Sequence, residues 1–161
     1  MFDRFGEFDS AQEINEAAAA QLAEGDTEAV HAIAEENGID AEDAEDLING
    51  DIDELTNPLM AALGKLDVEA AELKPFEIME DWLSYIRVRC QEDGQMAAAV
   101  RRKGKSLKGC TGALLGWSFK NQHEVDRDII KAAGIKGGRI TLGIPGMARA
   151  KQIITEYYLG K

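Results

Sequence analysis

The sequence predicts an all-α fold, a compact helical bundle over residues 57–161 carrying an acidic helical extension over 1–56, and three observations lead there. Apolar side chains recur at helical spacing, most plainly Met79, Trp82, Leu83, Ile86 and Cys90 at i, i+3, i+4, i+7 and i+11. Helix punctuation is frequent. Ser10, Asp26, Asn57 and Ser106 stand where a side chain would cap free backbone N–H groups, and Gly25, Gly38, Gly104 and Gly134 stand where helices would stop. A strand-like stretch occurs at 139–142, enough for one minor strand or hairpin.

In chain order, Ser10 with Glu13 forms a capping box that opens a helix ending near Glu24. TEAVHAIAEE follows, with Ala29, Val30, Ile33 and Ala34 on one face and Asn37-Gly38 as its left-handed exit, and a third short helix begins after Asp40. These pieces are rich in alanine and acid and poor in large apolar groups, so a thin, weakly docked extension is expected. Asn57-Pro58 places proline at a first helical position, and Pro75 is expected to do the same for the Met79–Cys90 stripe. QMAAAVRRK reads as a helix. Ser106 then caps LKGCTGALLGWSFK, with Leu107, Cys110, Leu114 and Trp117 on one face. Its three glycines each cost about 1 kcal/mol against alanine, and close helix packing is the expected compensation. VDRDIIKAAG gives a short helix. The last, begun by Pro145, turns Met147, Ala150, Ile153, Ile154, Tyr157 and Tyr158 inward. One core is expected to hold Trp82, Leu83, Ile86, Leu114, Trp117, Ile129, Ile154 and Tyr157.

At 161 residues, 45% hydrophobic and 30% charged, the chain suits one globular core. No apolar run nears the roughly 20 residues of a membrane span, and MFDRFGEFDS lacks the marks of a secretory signal, so a cytoplasmic protein without a membrane partner is expected. Cys90 and Cys110 read as reduced, buried thiols. The charge is divided: residues 1–81 hold 24 acids against three bases, net −21, and residues 82–161 hold 15 bases against six acids, net +9. That asymmetry points either to an oppositely charged partner or to attraction between the halves within one fold.

Chemistry finds little support. His31 and His123 lie far apart without cysteine or histidine at ligand spacing, and no register from Asp40 to Glu54 supplies the acids, sixth-position glycine and twelfth-position glutamate of an EF-hand. GIKGGRITLGIPGM contains neither GxxxxGK[ST] nor GxGxxG, and no serine sits in a G-x-S-x-G setting. No enzyme activity, cofactor, metal or catalytic residue is therefore expected. Two charged groups remain as candidate partner-binding sites. One is acidic: Asp40, Glu42, Asp43, Glu45, Asp46, Asp51, Asp53 and Glu54. The other is basic, Arg101, Arg102, Lys103, Lys105 and Lys108, and reads as phosphate or nucleic-acid contact, as solvated surface, or as pairing with the acidic half.

The stretch from PFEIMEDWLSYIRVRCQ through LKGCTGALLGWSFKNQHEVDRDIIKAAGI to IITEYY resembles the PcfK-like proteins of conjugative plasmids and related mobile elements, over residues 75–160. That family includes a type II-A anti-CRISPR, an inhibitor of the RNA-guided Cas nuclease. The resemblance implies a helical packing core with no catalytic residue, and either of two roles: a type II Cas nuclease inhibitor, or an accessory factor of conjugative transfer. An acidic surface can compete for the positive nucleic-acid channels of such a nuclease, which ranks inhibition first.

Overall fold

The computed structural model describes residues 2–161. The chain is 65% helical, with nine helices and one small antiparallel sheet among the described residues. α1 (Ala11–Ala23) begins where Ser10 Oγ accepts the Glu13 N–H at 3.2 Å. The Glu13 carboxylate reaches back to the Asp9 N–H at 2.6 Å, one residue earlier than a reciprocal capping box would have it. α2 (Thr27–Glu36) is capped by Asp26, and α3 (Ala41–Asn49) starts after Asp40 without a side-chain cap. These three helices do more than lean on the bundle. They enclose their own apolar cluster around Ile14, Ala18, Val30, Ile33, Ala34, Leu47 and Leu55. Alanines supply part of the reason, since small side chains let helix backbones approach.

The second cluster belongs to α4 (Pro58–Leu73), α5 (Ile78–Glu92), α6 (Gly94–Arg101), α7 (Leu107–Lys120) and α9 (Met147–Leu159). It buries Leu66, Trp82, Leu83, Ile86, Met96, Leu107, Leu114, Ile154 and Tyr158. Trp117 and Tyr157 are only half-buried, and two expected inward residues lie outside altogether: Met147 is exposed, and Ile129 is 61% exposed. Ile129 sits on α8 (Arg127–Ala132), a helix of six residues whose outer face no other layer covers, and its neighbour Ile130 takes the inward direction. In sequence α8 lies between β1 (His123–Glu124) and β2 (Thr141–Leu142), paired antiparallel with His123 opposite Leu142, so the strand expected at 139–142 is its last two residues.

Both later prolines fall outside their helices. α5 begins at Ile78, three residues after Pro75, because Lys74, in the left-handed region at φ 52, and Glu77, also at positive φ (50), turn the chain before the helix starts. Gly146 is the cap of α9, so Pro145 precedes the helix. Of the α7 glycines, Gly109 meets the expected requirement, since a Cβ there would collide with the Tyr157 hydroxyl. Gly112 and Gly116 face open space instead.

The two clusters meet across Gly38 and Gly64. Gly38 closes α2 at φ +65, Gly64 lies midway along α4, and a Cβ on either would strike the other's backbone. Backbone cannot give way as a side-chain tip can. Gly64→Ala, although it raises helix propensity, should therefore destabilise the protein by roughly 2 kcal/mol or more; urea unfolding measures it, and a neutral or stabilising result would mean that the crossing is looser than described.

Candidate functional site

The five cations expected to form one basic patch do not share a surface. Arg101 ends the inward face of α6, following Met96, Ala97 and Val100, and is 1% exposed. Its Nε donates to Phe8 O at 3.2 Å and its Nη2 to Asn37 Oδ1 at 2.8 Å, and the Phe2 ring lies 5.5 Å from the guanidinium carbon. Burial pulls its pKa down to about 10, against the opposing field of Glu7, Glu69, Glu13 and Asp9. Arg101 therefore remains charged at neutral pH, inside the protein, where it joins the N-terminal unit to the bundle. Lys105 Nζ donates to Tyr157 O at 2.7 Å and sits 4.7 Å from that ring's centroid. Lys108 pairs with Glu72 at 3.3 Å on the surface. Arg102 and Lys103 are exposed.

Beneath this turn lies a buried charge that the sequence reading passed over. Lys65, with no exposed surface, donates to Glu7 Oε1 at 2.7 Å, Lys105 O at 2.7 Å, Arg102 O at 3.0 Å and Arg101 O at 3.5 Å. One turn along α4, Glu69 accepts the Leu107 N–H at 3.1 Å, with its pKa raised by burial and lowered in part by Lys65. Residues 101–105 are thus held from below by Lys65 and from outside by the 2–9 segment, whose Asp9 accepts the Lys103 N–H at 2.8 Å. A signal existed: Arg101 shares the helical face of Ala97, and Lys65 that of Ala61 and Glu69.

The acidic candidates stand differently. Ala44 and Leu47 turn inward from α3, which leaves Asp40, Glu42 and Glu45 exposed, with Asp43 and Asp46 half-buried; Gly50, at φ +80, then turns the chain so that Asp51, Asp53 and Glu54 are exposed as well. Glu45 pairs with His31 at 2.8 Å. Among the described residues no three His, Cys, Asp or Glu side chains are arranged to hold a metal ion, and no helix is long and apolar enough to cross a membrane.

Two further surfaces had no counterpart in the sequence reading. A cleft of about 470 Å³ beside α8 is lined by Arg127, Lys131 and Arg139 along with Glu124, Ile130 and Ile135, and Arg139 pairs with Glu124 at 3.5 Å. A groove of about 570 Å³ runs between the start of α5, the outer face of α7 and β2, and its lining is almost wholly apolar. Phe76, Leu115, Phe119, Leu142 and Ile144 are all exposed there. Fold and surface together define a helical protein with separate acidic, basic and apolar faces. Compared with protein-family models, curated proteins and solved structures, the chain matches none. The likeness to PcfK-like proteins therefore rests on the residues quoted for it.

Two outcomes follow. Arg101→Gln should cost about 3 kcal/mol in urea unfolding, because it leaves the Asn37 and Phe8 acceptors without their donor and weakens the positive field that Glu7 and Glu69 share with Lys65, whereas Arg102→Gln should leave the unfolding midpoint unchanged; equal effects would place Arg101 on the surface. Burial pushes the Cys90 thiol up to about 11 and Cys110 up to about 12. Folding thus favours the protonated thiols, and their contribution, complete at neutral pH, falls as pH rises through those values. Both thiols should resist a disulfide reagent at mildly alkaline pH until urea unfolds the chain, and rapid labelling of the folded protein would contradict their burial.

Proposed function

We propose that this protein binds and inhibits a type II RNA-guided Cas nuclease, without catalysis, and presents its acidic unit to a basic surface of that partner. The observation that carries the reading is the direction in which the charges face. Arg101 and Lys65 are spent on internal acceptors, while Asp40, Glu42, Glu45, Asp51, Asp53 and Glu54 face solvent from a unit with its own core. An exposed acidic face on an ordered scaffold resembles the charge of a nucleic-acid backbone and suits the positive channels of such a nuclease. The resemblance of residues 75–160 to a family that includes a nuclease inhibitor supports the same choice. Arg127, Lys131 and Arg139 beside the α8 cleft favour a second reading, an accessory DNA- or protein-binding factor of conjugative transfer.

The test is cleavage of target DNA by guide-loaded type II nucleases, those of related hosts included, with and without the protein. Protection is expected, and target DNA should compete with the protein for the nuclease. Reversing charge at Glu42, Glu45, Asp51 and Asp53 should slow association and flatten its salt dependence, with a smaller effect on dissociation. Neither binding nor protection with any of these nucleases would sink the inhibitor reading and leave conjugative transfer as the better account.

A further inference from the structure

α7 has two faces. Leu107, Cys110 and Leu114 are buried, but a second stripe, Gly112, Leu115, Gly116 and Phe119, runs along the outer side at i, i+3, i+4 and i+7. Its members alternate in size. Nothing within 4 Å would meet a Cβ at Gly112 or Gly116, while Leu115 and Phe119 are 56% and 77% exposed. The stripe borders the apolar groove, whose opposite walls carry Phe76, Leu142 and Ile144, 63–67% exposed. With aromatic side chains burying some 150–250 Å² each, these five residues offer on the order of 600 Å² of apolar surface. That is at the upper end for the largest patch of a monomer, and most of the roughly 800 Å² per partner of a standard interface.

Leu115 and Phe119 belong both to the stripe and to the lining of the groove, so stripe and groove form one continuous apolar surface.

We propose that the occupant is a second copy of this chain, in a symmetric homodimer whose seam is α7 packed antiparallel on α7 of the partner copy. With the two-fold axis centred between Leu115 and Gly116, Phe119 of each copy faces Gly112 of the other, and Leu115 faces Gly116. Each large side chain then meets a glycine, where the backbone leaves room for it. Charges agree with this register: Lys120 falls opposite Thr111, and Lys108 lies past the last residue of the partner copy's α7, so no lysine faces a lysine. None of the α3 acids lines the groove. Closing the seam buries Leu115 and Phe119 of each copy and sets the partner beside the groove that Phe76, Leu142 and Ile144 line.

Light scattering on the eluting full-length protein should return twice the 17.6 kDa chain mass at micromolar concentration and above. Leu115→Glu and Phe119→Glu, both at exposed positions, should give monomers with unchanged circular dichroism. Gly112→Phe should raise the dimer dissociation constant about tenfold or more, since two phenylalanines then oppose each other, although helix propensity improves. The double variant Gly112→Phe with Phe119→Gly exchanges knob and hole within each copy and should restore the dimer. A wild-type chain that stays monomeric at the highest attainable concentration overturns the proposal, as does a dimer that survives the glutamates or a double variant that fails to recover.

Discussion

An ammonium group with no exposed surface must be surrounded by acceptors, and Lys65 draws them from three parts of the chain. It takes Glu7 from the N-terminal segment, Arg101 O and Arg102 O from the end of α6, and Lys105 O from the turn that follows. One turn along α4, Glu69 accepts an N–H at the start of α7. The signs match the helix ends they meet, a cation at the carbonyl end of α6 and a carboxylate at the amide end of α7. A single pair at i and i+4 on α4 thus sets how α6 passes into α7. It also sets where the N-terminal segment lies, because Glu7 has to reach the same ammonium. Arg101 makes the complementary tie, from the end of α6 outward to Phe8 and Asn37.

This arrangement accounts for the division of charge along the sequence. Part of the +9 of the second half meets part of the −21 of the first, Arg101 in the field of Glu7 and Glu69 inside the fold and Arg87 with Asp67 and Lys108 with Glu72 on its surface, so attraction within the chain is real, but it uses few groups. Among the described residues no lysine or arginine pairs with the acids on α3 and the following turn, and Glu45 meets the His31 imidazole at 2.8 Å. Exposed or half-buried, these acids stand on a unit that packs its own apolar cluster, which suits electrostatic encounter. The apolar face of α7 and the hairpin is built on the other cluster, so the two surfaces are free to serve different contacts.

Helices were legible because their signals are local. Caps at Ser10, Asp26, Asn57 and Ser106 act within one turn, and the stripe from Trp82 to Cys90 faces the core as its spacing requires. Misreadings came where a local rule had a competitor. Pro75 is compatible with a first helical position, yet two residues of positive φ around it, Lys74 and Glu77, delay α5. Ile129 and Ile130 are equivalent by composition, and only the packing of a short helix separates them. The basic candidates form a run of charge along the chain, whereas α6 directs Arg101, its last residue, inward and Arg102, past the helix end, is exposed.

By itself the sequence determined the helical class, the order of the helices, a minor strand near 139–142 and the inward side of the strongest helices, since periodicity and capping depend on residues a few positions apart. It also determined that acids dominate the first half. Tertiary structure alone decided which charges are spent inside, that the alanine-rich unit encloses a core, and that Gly38 and Gly64 touch. The same is true of the groove that joins Phe76, Phe119 and Leu142, which no short window of sequence contains. Each of these depends on groups tens of residues apart, and whether a lysine is surface or keystone is settled by which carbonyls arrive beside it.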